Sequence, residues 1–284
     1  MALYIGLDIG GTKCMVASAT SDIKIKKRIR KPTPPLLEDG LALLHEMIDY
    51  VSDGNEIAAI GAAIGGPLDW KRGIVSPLHQ PAWREVPLKI IMEKKWGCPF
   101  HVDIDTNVAA IGEYTLGGYQ NTRFFYMTIS TGIGGGFLLN GKIYRGMQDT
   151  HPEVGHQSIH YRCSNPQDVQ CECGAPDCLE ALASGNGIRR IYGKPPEQLN
   201  DTEWDEVTYN LSQGIRNLTA FYLPEVIVLG GGIANARGVQ LISGIAKLLP
   251  DYLKILPIPQ IRISKLGYDT ALMGALAIAK SGLT

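Results

Sequence analysis

Residues 3–19, LYIGLDIGGTKCMVASA, decide the fold. The apolar run Leu3–Ile9 is typical of a buried β-strand, and a second apolar run, Cys14–Ala19, follows directly after the turn Gly10-Gly11-Thr12. A turn at Ser21-Asp22 leads into a third predicted strand. The stretch therefore predicts an antiparallel meander. It does not predict a dinucleotide-binding fingerprint, because the glycines of that motif open a helix.

A second meander is predicted further along the chain. Phe124–Ser130 is typical of a strand, Thr131–Gly136 of a glycine-rich turn, and Phe137–Leu139 of a returning strand. Asn140-Gly141 is a strong hairpin signal. Predicted helices and strands alternate after each meander, and one of these helices is predicted from about residue 236. This alternation indicates an internal duplication.

The duplication predicts an α/β protein with two domains and a cleft between them. We expect a small domain formed by residues 1–107 together with 268–284, and a large domain formed by residues 108–267. A chain of 284 residues is long enough for two domains, on a prior of about 150 residues each.

Composition and charge argue against two classes of partner. The chain is 45% hydrophobic and 19% charged, with a formal net charge of −1, so no basic surface for nucleic acid or an anionic membrane is expected. The N-terminus lacks the regions of a signal peptide, and no apolar run approaches the ~20 residues of a membrane span. We expect a cytoplasmic protein that binds neither nucleic acid nor membranes.

Both glycine-rich turns are suited to holding an anion, because backbone N–H groups can approach it closely and each turn adds a hydroxyl. They are DIGGTK (8–13) and STGIGGG (130–136). Ordinary hairpin turns are the alternative, but two such turns at matching positions of a duplicated fold favour phosphate binding. A Walker A loop at GFLLNGK (136–142) is excluded because Ile143 stands where Ser or Thr binds magnesium.

Three of the six cysteines, Cys171, Cys173 and Cys178, are clustered in CECGAPDC (171–178). In a reducing compartment such a cluster favours a metal site over disulfide bonds. A CxxC redox pair is absent, since Glu172 alone separates the first two cysteines. A zinc site needs four N or S ligands, so a fourth residue has to complete it.

Three segments together resemble the sugar kinase/actin/Hsp70 superfamily: DIGGTK (8–13), TGIGGG (131–136) and VIVLGGG (226–232). They are similar to its phosphate-1, phosphate-2 and adenosine elements. The run from ISTGIGGGF to PEVGH (152–156), followed by a cysteine cluster close to CxCGxxGCLE, resembles the ROK family (repressor, open reading frame, kinase). The resemblance extends from Asp8 to about Ala277. It implies a duplicated ribonuclease-H-like, actin-like ATPase fold.

The resemblance implies ATP and Mg²⁺ as cofactors. Asp8 would then assist Mg²⁺ through water, while Thr12, Gly132 and Gly134 receive phosphates. The implied nucleotide-binding residues are Asp8, Gly10, Gly11, Thr12, Lys13, Thr131, Gly132, Gly134, Gly230, Gly231 and Gly232.

The resemblance also implies a structural Zn²⁺ ion. His156 of PEVGH would join Cys171, Cys173 and Cys178 as the fourth ligand. Cys163 is a rival ligand that lies outside the motif. Asp177 replaces the family's glycine before the third cysteine, which we interpret as a loop variation.

Asp103 and Asp105 in VDIDTNVAAIGE (102–113) are candidate catalytic carboxylates. Two apart on a predicted strand, Phe100–Asp105, they would point to the same face; capping of the helix predicted from Asn107 is an equal interpretation. ROK kinases carry Asn-Asp-x-Asn-x-Ala-Ala here, with the Asp as general base. The resemblance therefore implies that Asp105 accepts the proton of the sugar's primary hydroxyl.

The same resemblance implies a set of sugar-binding residues. Ile104 replaces the family's Asn before the catalytic Asp. That replacement removes one hydrogen bond to a ring hydroxyl and weakens discrimination among sugars. The implied sugar-binding residues are Gly65, Gly66, Asp105, Glu153, His156 and Glu180.

The implied activity is that of an ATP- and Mg²⁺-dependent hexose kinase acting on the 6-hydroxyl of glucose or a related aldohexose. Two alternatives stay open: an N-acetylhexosamine or amino-sugar kinase of the same family, and a sugar-responsive regulator without catalysis. Regulators of the family carry an N-terminal helix-turn-helix domain, and the phosphate turn at Asp8 leaves no room for one. The partners implied are a small sugar, a nucleotide and a second copy in a homodimer.

Overall fold

The computed structural model describes residues 2–283. Over this range the strands are β1 (Leu3–Ile9), β2 (Lys13–Ala19), β3 (Ile25–Pro32), β4 (Ile57–Ile64), β5 (Leu68–Asp69), β6 (Ile74–Val75), β7 (Phe100–Ile104), β8 (Arg123–Ile129), β9 (Ile133–Leu139), β10 (Lys142–Ile143), β11 (Val226–Gly230) and β12 (Gln260–Ile263). The α-helices are α1 (Leu37–Ser52), α2 (Leu88–Trp96), α3 (Asp105–Leu116), α4 (Leu179–Ala183), α5 (Gly185–Tyr192), α6 (Asp201–Tyr222), α7 (Gly231–Tyr252) and α8 (Thr270–Ser281).

Two five-stranded sheets share one topology. Their strand orders are β3-β2-β1-β4-β7 and β10-β9-β8-β11-β12. In each sheet an antiparallel meander lies on one side of the first strand, and two parallel strands lie on the other side. The predicted meanders and the internal duplication are therefore confirmed.

The chain divides into two compact units. Unit 1 runs to Tyr119 and resumes at Asp269, and unit 2 is Gln120–Tyr268. The sequence predicts boundaries at 107/108 and 267/268, so the first boundary in the structure lies later. The reason is that α3 packs on α8 within unit 1: a Cβ at Gly112 would lie 2.6 Å from the Cα of Gly274, so neither helix has room for a side chain there.

The core of unit 1 is built around strands β1 and β4. Ile5, Leu7 and Ile60 are fully buried, as expected for the central strands of a sheet covered on both faces. Helix α8 lies directly on this sheet, since a Cβ at Gly61 would lie 2.0 Å from the carbonyl oxygen of Ala275.

The core of unit 2 packs its sheet against helices α4 to α7. Phe125, Leu182, Ile227 and Ile245 are fully buried members of this core. Helix α6 begins with a capping box, in which the Asn200 side chain accepts from Glu203 N–H and the Glu203 carboxylate accepts from Asn200 N–H. Among the described helices, none has the length and apolarity needed to cross a bilayer.

Three predicted element boundaries were wrong. Strand β7 ends at Ile104, so Asp105 is the first residue of α3. Strand β9 begins at Ile133, which places Gly134–Gly136 in a strand instead of a turn; a Cβ at Gly135 would lie 2.7 Å from the Phe125 ring, so close packing explains that glycine. Helix α7 begins at Gly231, earlier than the predicted start near residue 236.

Candidate active site

In unit 1, three residues predicted to act in catalysis or ligand binding lie at, or directly after, the carboxyl ends of neighbouring parallel strands. Strand β1 pairs with β4 and β4 with β7, with Ile9 opposite Ile64 and Ile64 opposite Ile104. Asp8, Gly65 and Asp105 therefore lie at one edge of the sheet, although the sequence separates them widely. The crevice beyond such an edge is where open α/β sheets bind ligands.

The first glycine turn (Gly10–Thr12) joins β1 to β2. Gly10 N–H donates to the carbonyl of Lys13 at 3.0 Å, and the Thr33 hydroxyl donates to the Gly10 carbonyl at 2.6 Å. A Cβ at Gly11 would lie 2.7 Å from the Cβ of His79. Gly11 and Thr12 are exposed, so their backbone is open to a ligand.

Asp8 lies beside this turn in an environment that disfavours its charge. Burial and the nearby Asp105 carboxylate raise the pKa of Asp8 to about 7, against the lowering effect of Lys13, and Asp269 adds a further rise. Asp8 and Asp105 are thus electrostatically coupled. A carboxylate whose pKa is raised by burial and by a neighbouring carboxylate is the kind of group that a cation stabilises.

Asp105 occupies the first position of α3. One of its carboxylate oxygens accepts a hydrogen bond from Thr106 N–H at 2.8 Å. Asp103 is fully buried, and its Oδ1 accepts from the Asn107 side chain at 3.2 Å. The expected same-face pair on a strand is wrong, because the strand ends between the two residues.

Ile104 contributes an apolar surface next to the glycine pair after β4. It is 7% exposed, and a Cβ at Gly66 would lie 2.9 Å from its Cδ1. Gly66 can therefore carry no side chain without moving Ile104. At this point backbone groups are the available hydrogen-bonding partners for a ligand, since Ile104 offers none.

In unit 2, the second glycine turn (Ser130–Gly132) joins β8 to β9. Ser130 N–H donates to the Gly132 carbonyl at 2.9 Å. Strand β11 runs parallel to β8, with Gly230 opposite Thr128. The second glycine turn and the start of α7 therefore lie at the carboxyl edge of this sheet, as the first turn does in unit 1.

Positions 230, 231 and 232 are each occupied by glycine, for different structural reasons. A Cβ at Gly230 would lie 2.2 Å from the Tyr126 hydroxyl, and one at Gly231 (φ +86°) would lie 2.5 Å from the Ile129 carbonyl. At Gly232 the nearest atoms are 4.0 Å away, so this glycine borders open space. Of the three predicted nucleotide contacts, Gly230 and Gly231 are thus required by packing, while Gly232 faces a cavity.

That cavity, of about 400 Å³, lies entirely within unit 2. Thr131 and Gly232 were predicted from sequence to contact the nucleotide, and both line it. Sequence reasoning missed several further lining residues: Arg189, Glu197, Trp204, Arg237 and Tyr268. Arg237 lies one turn after Ile233 on α7, so an earlier predicted start of that helix would have placed its side chain on the same face as Ile233.

The cysteine cluster and His156 come together in unit 2. The ligand atoms of His156, Cys171, Cys173 and Cys178 all lie within 4.8 Å of one another. Cys171 Sγ is 3.4 Å from His156 Nδ1, and the sulfurs of Cys173 and Cys178 are 3.1 Å apart. Three sulfurs and one imidazole nitrogen that converge in this way could hold one metal ion. Cys163 lies outside the group that the described residues form.

The three side chains predicted to bind sugar in unit 2 do not share one environment. Glu153 and His156 line a smaller cavity of about 200 Å³ with Phe221. Glu180 instead accepts a hydrogen bond from Ile133 N–H at 2.8 Å, directly after the second glycine turn.

The chain has relatives and structural neighbours over nearly its whole length. It is 30% identical to a glucokinase of Thermotoga maritima, covering 97% of this chain and 96% of the relative. It is 31% identical to a fructokinase of Zymomonas mobilis, with 98% and 96% covered. A ROK family glucokinase from Streptomyces griseus, solved in complex with glucose and AMPPNP, superposes with a TM-score of 0.82 at 27% identity, covering 99% of this chain and all of that one.

A family-level match covers the same range. The ROK family model matches residues 4–282. The two sheets of identical topology and the structural neighbours confirm the actin-like ATPase fold expected from the sequence. The chain belongs to the ROK family and is an ATP-dependent sugar kinase.

Proposed function

We propose that the chain is a hexose kinase that transfers the γ-phosphate of ATP to the 6-hydroxyl of glucose or a related aldohexose. The observation that carries this proposal is the position of Asp105, at the first residue of α3 and at the same sheet edge as Asp8 and Gly65. A carboxylate there can act on a hydroxyl that the neighbouring backbone holds.

Asp105 is the proposed general base. Its carboxylate accepts a hydrogen bond from Thr106 N–H, which orients the group at the sheet edge. A carboxylate in that position is the proposed acceptor of the proton of the attacking hydroxyl. The proton then resides on Asp105 while the sugar oxygen forms its bond to phosphorus and the bond to the departing ADP breaks.

Mg²⁺ is the proposed companion of ATP, and Asp8 would hold it through water. The raised pKa of Asp8, caused by burial and by Asp105, supports this assignment, because a divalent cation offsets both effects. When bound, the ion neutralises charge on the β- and γ-phosphates. Thr12 and the exposed backbone of Gly11 are the proposed phosphate contacts of this unit.

A structural Zn²⁺ ion is the proposed occupant of the cluster of His156 and three cysteines. The donor set fits, since sulfur and imidazole nitrogen are the ligands that zinc prefers in closed sites. Nδ1 of His156 faces Cys171, so Nε2 would remain for a sugar hydroxyl. Zinc would thus fix the ring that binds the sugar.

A ketohexose such as fructose is the second candidate substrate. Two observations favour it: a relative named fructokinase is as similar to the chain as one named glucokinase, and Ile104 supplies no hydrogen bond at the position of the family's Asn. A site without that bond rejects sugars of different ring form only weakly.

A coupled ADP-release assay tests the proposal. The panel should contain glucose, mannose, allose, fructose, glucosamine and the N-acetylhexosamines, each with ATP and Mg²⁺. We expect the highest kcat/KM with glucose or another aldohexose. Preference for an N-acetylhexosamine would overturn the assignment of the sugar, and absence of turnover with every sugar would overturn the hexose kinase proposal itself.

A further inference from the structure

We propose that Glu180 is a positioning residue for the second glycine turn. Through it, the Cys/His cluster (His156, Cys171, Cys173 and Cys178) is linked to the binding of the donor nucleotide. This inference rests on the proposed phosphate-binding role of that turn. The sequence predicts Glu180 only as a sugar ligand. Its contacts in unit 2 point to a different partner, the backbone that forms the turn.

The Glu180 carboxylate lies directly against the turn. Its Oε2 accepts from Ile133 N–H at 2.8 Å, and a Cβ at Gly132 would lie only 2.6 Å from the same oxygen. A side chain at 132 would therefore displace the carboxylate. The glycine that the sequence assigns to phosphate binding is also the residue that gives Glu180 access to the turn.

The segment that follows Glu180 holds the other end of the turn. Gly185 N–H donates to the Ser130 carbonyl at 2.7 Å, and Asn186 N–H donates to the Thr131 carbonyl at 3.1 Å. Since Ile133 N–H is bonded to Glu180, groups on both sides of Gly132 are fixed by α4 and α5. These contacts restrict the directions in which the remaining N–H groups of the turn can point, which is the property that anion binding needs.

Two segments that carry cluster residues lead to the end of the turn. Cys178, which is fully buried, is the N-cap of α4 and precedes Glu180 by two positions. On the histidine side, a Cβ at Gly155 would lie 2.1 Å from the Ile133 carbonyl. The segment before His156 thus packs on Ile133, and the helix capped by Cys178 bonds to it through Glu180. Displacement of either segment would disturb the residue that directly follows the turn.

Glu180 can serve this function and still face a sugar, because a carboxylate has two oxygens and only Oε2 is bonded to Ile133. The two roles have different consequences. A residue that only binds sugar affects sugar affinity alone, whereas a residue that positions the turn affects nucleotide affinity when no sugar is present.

The test measures binding of AMPPNP with Mg²⁺ by calorimetry, in the absence of sugar, for three variants of the full chain. Glu180→Ala should weaken AMPPNP binding about tenfold or more, since a buried N–H loses a charged acceptor. Glu180→Gln should stay within about threefold of wild type, because an amide oxygen still accepts from Ile133. Glu153→Ala, the matched control among the predicted sugar carboxylates, should leave AMPPNP affinity unchanged.

Hydrogen exchange of the peptide that contains Ile133 gives a second, activity-independent readout. We expect faster exchange there in Glu180→Ala and in chelator-treated wild type, and unchanged exchange in Glu153→Ala. Wild-type AMPPNP affinity in Glu180→Ala, or unchanged exchange at Ile133 after chelation of a zinc-containing protein, would overturn the proposal. AMPPNP binding is measured without sugar, so an error in the proposed substrate would leave this test unaffected.

Discussion

The two glycine turns occupy the same place in two sheets of the same strand order, yet they are held differently. The first turn is fixed by its own sheet, through Lys13 and the Thr33 hydroxyl on either side of Gly10. The second is fixed by helices α4 and α5, through Glu180 and the N–H group of Gly185. One topology therefore holds its two glycine turns in two different ways.

The chemistry beside the turns also differs. The penultimate residue of β1 is Asp8, whereas the corresponding residue of β8 is Thr128. Unit 1 thus places two carboxylates, Asp8 and Asp105, at its sheet edge. At the matching edge of unit 2, Thr128 takes the place of Asp8, and the nearby Glu180 carboxylate is bonded to the backbone. We interpret unit 1 as the source of acid–base and cation-binding groups, and the turn of unit 2 as a source of N–H donors for phosphate.

The largest effect is expected from removing the proposed base of unit 1. Asp105→Asn should lower kcat by about 10²–10⁴-fold, the usual contribution of a general base. Asp201→Asn is the matched control, because Asp201 is also the first residue of a helix, α6, and should keep kcat near wild type. Steady-state kinetics and circular dichroism check both variants, and a near-normal kcat in Asp105→Asn would contradict the assignment.

The next largest effect is expected at the cluster of unit 2. Cys171→Ser should abolish stoichiometric zinc and lower the free energy of unfolding by several kcal/mol, since bound metal contributes directly to folding. Metal analysis and thermal unfolding measure these changes. Cys98→Ser, in unit 1 and outside the cluster, should retain zinc. Full zinc occupancy in Cys171→Ser would refute the ligand set.

Asp8 should make the stability of the protein depend on pH in a definite direction. Its pKa is raised from 3.8 to about 7 on folding, so the folded state holds a proton that the unfolded state releases. Unfolding free energy therefore falls as pH rises from about 4 to about 7. Without Mg²⁺, Asp8→Asn should remove roughly 2–4 kcal/mol of this fall.

Urea unfolding of wild type and Asp8→Asn at about pH 4, 6 and 8 checks this expectation. The variant should gain stability relative to wild type as pH rises, while its Mg²⁺-dependent turnover is lost. A stability difference that is the same at each pH would contradict the raised pKa of Asp8.

The smallest effect concerns sugar choice at Ile104. Ile104→Asn should raise kcat/KM for glucose relative to fructose by about fivefold to tenfold, because one hydrogen bond to the sugar is recovered. The same change should lower the free energy of unfolding by about 1–2 kcal/mol. Ile104→Leu, which offers no such bond, should leave the ratio unchanged. Kinetics with both sugars measure the ratio, and a shift of similar size in both variants would exclude a hydrogen-bonding cause.

Local patterns were sufficient to predict the scaffold. The apolar run Leu3–Ile9 coincides with β1, and Cys14–Ala19 lies within β2. The repeated meander predicted the duplicated topology. The cysteine spacing together with the resemblance gave the four residues that the structure brings together. Each of these features depends on periodicity or spacing, which a sequence displays directly.

Long-range contacts could not be predicted in this way. Glu180 and Ile133 are 47 residues apart, and no local pattern distinguishes a carboxylate that faces a sugar from one that holds a turn. The glycines of β9 were misassigned for a related reason. Gly135 is required by its contact with the Phe125 ring, but in the sequence alone a run of glycines looks like a turn signal.

The most direct test of the hexose kinase assignment is proton–phosphorus correlation NMR of the product formed from ATP and the preferred sugar. We predict a phosphate coupled to the two protons on C6, and about 10²–10⁴-fold slower formation of that product by Asp105→Asn. A phosphate coupled to the anomeric proton, or equal product from Asp105→Asn, would contradict the assignment.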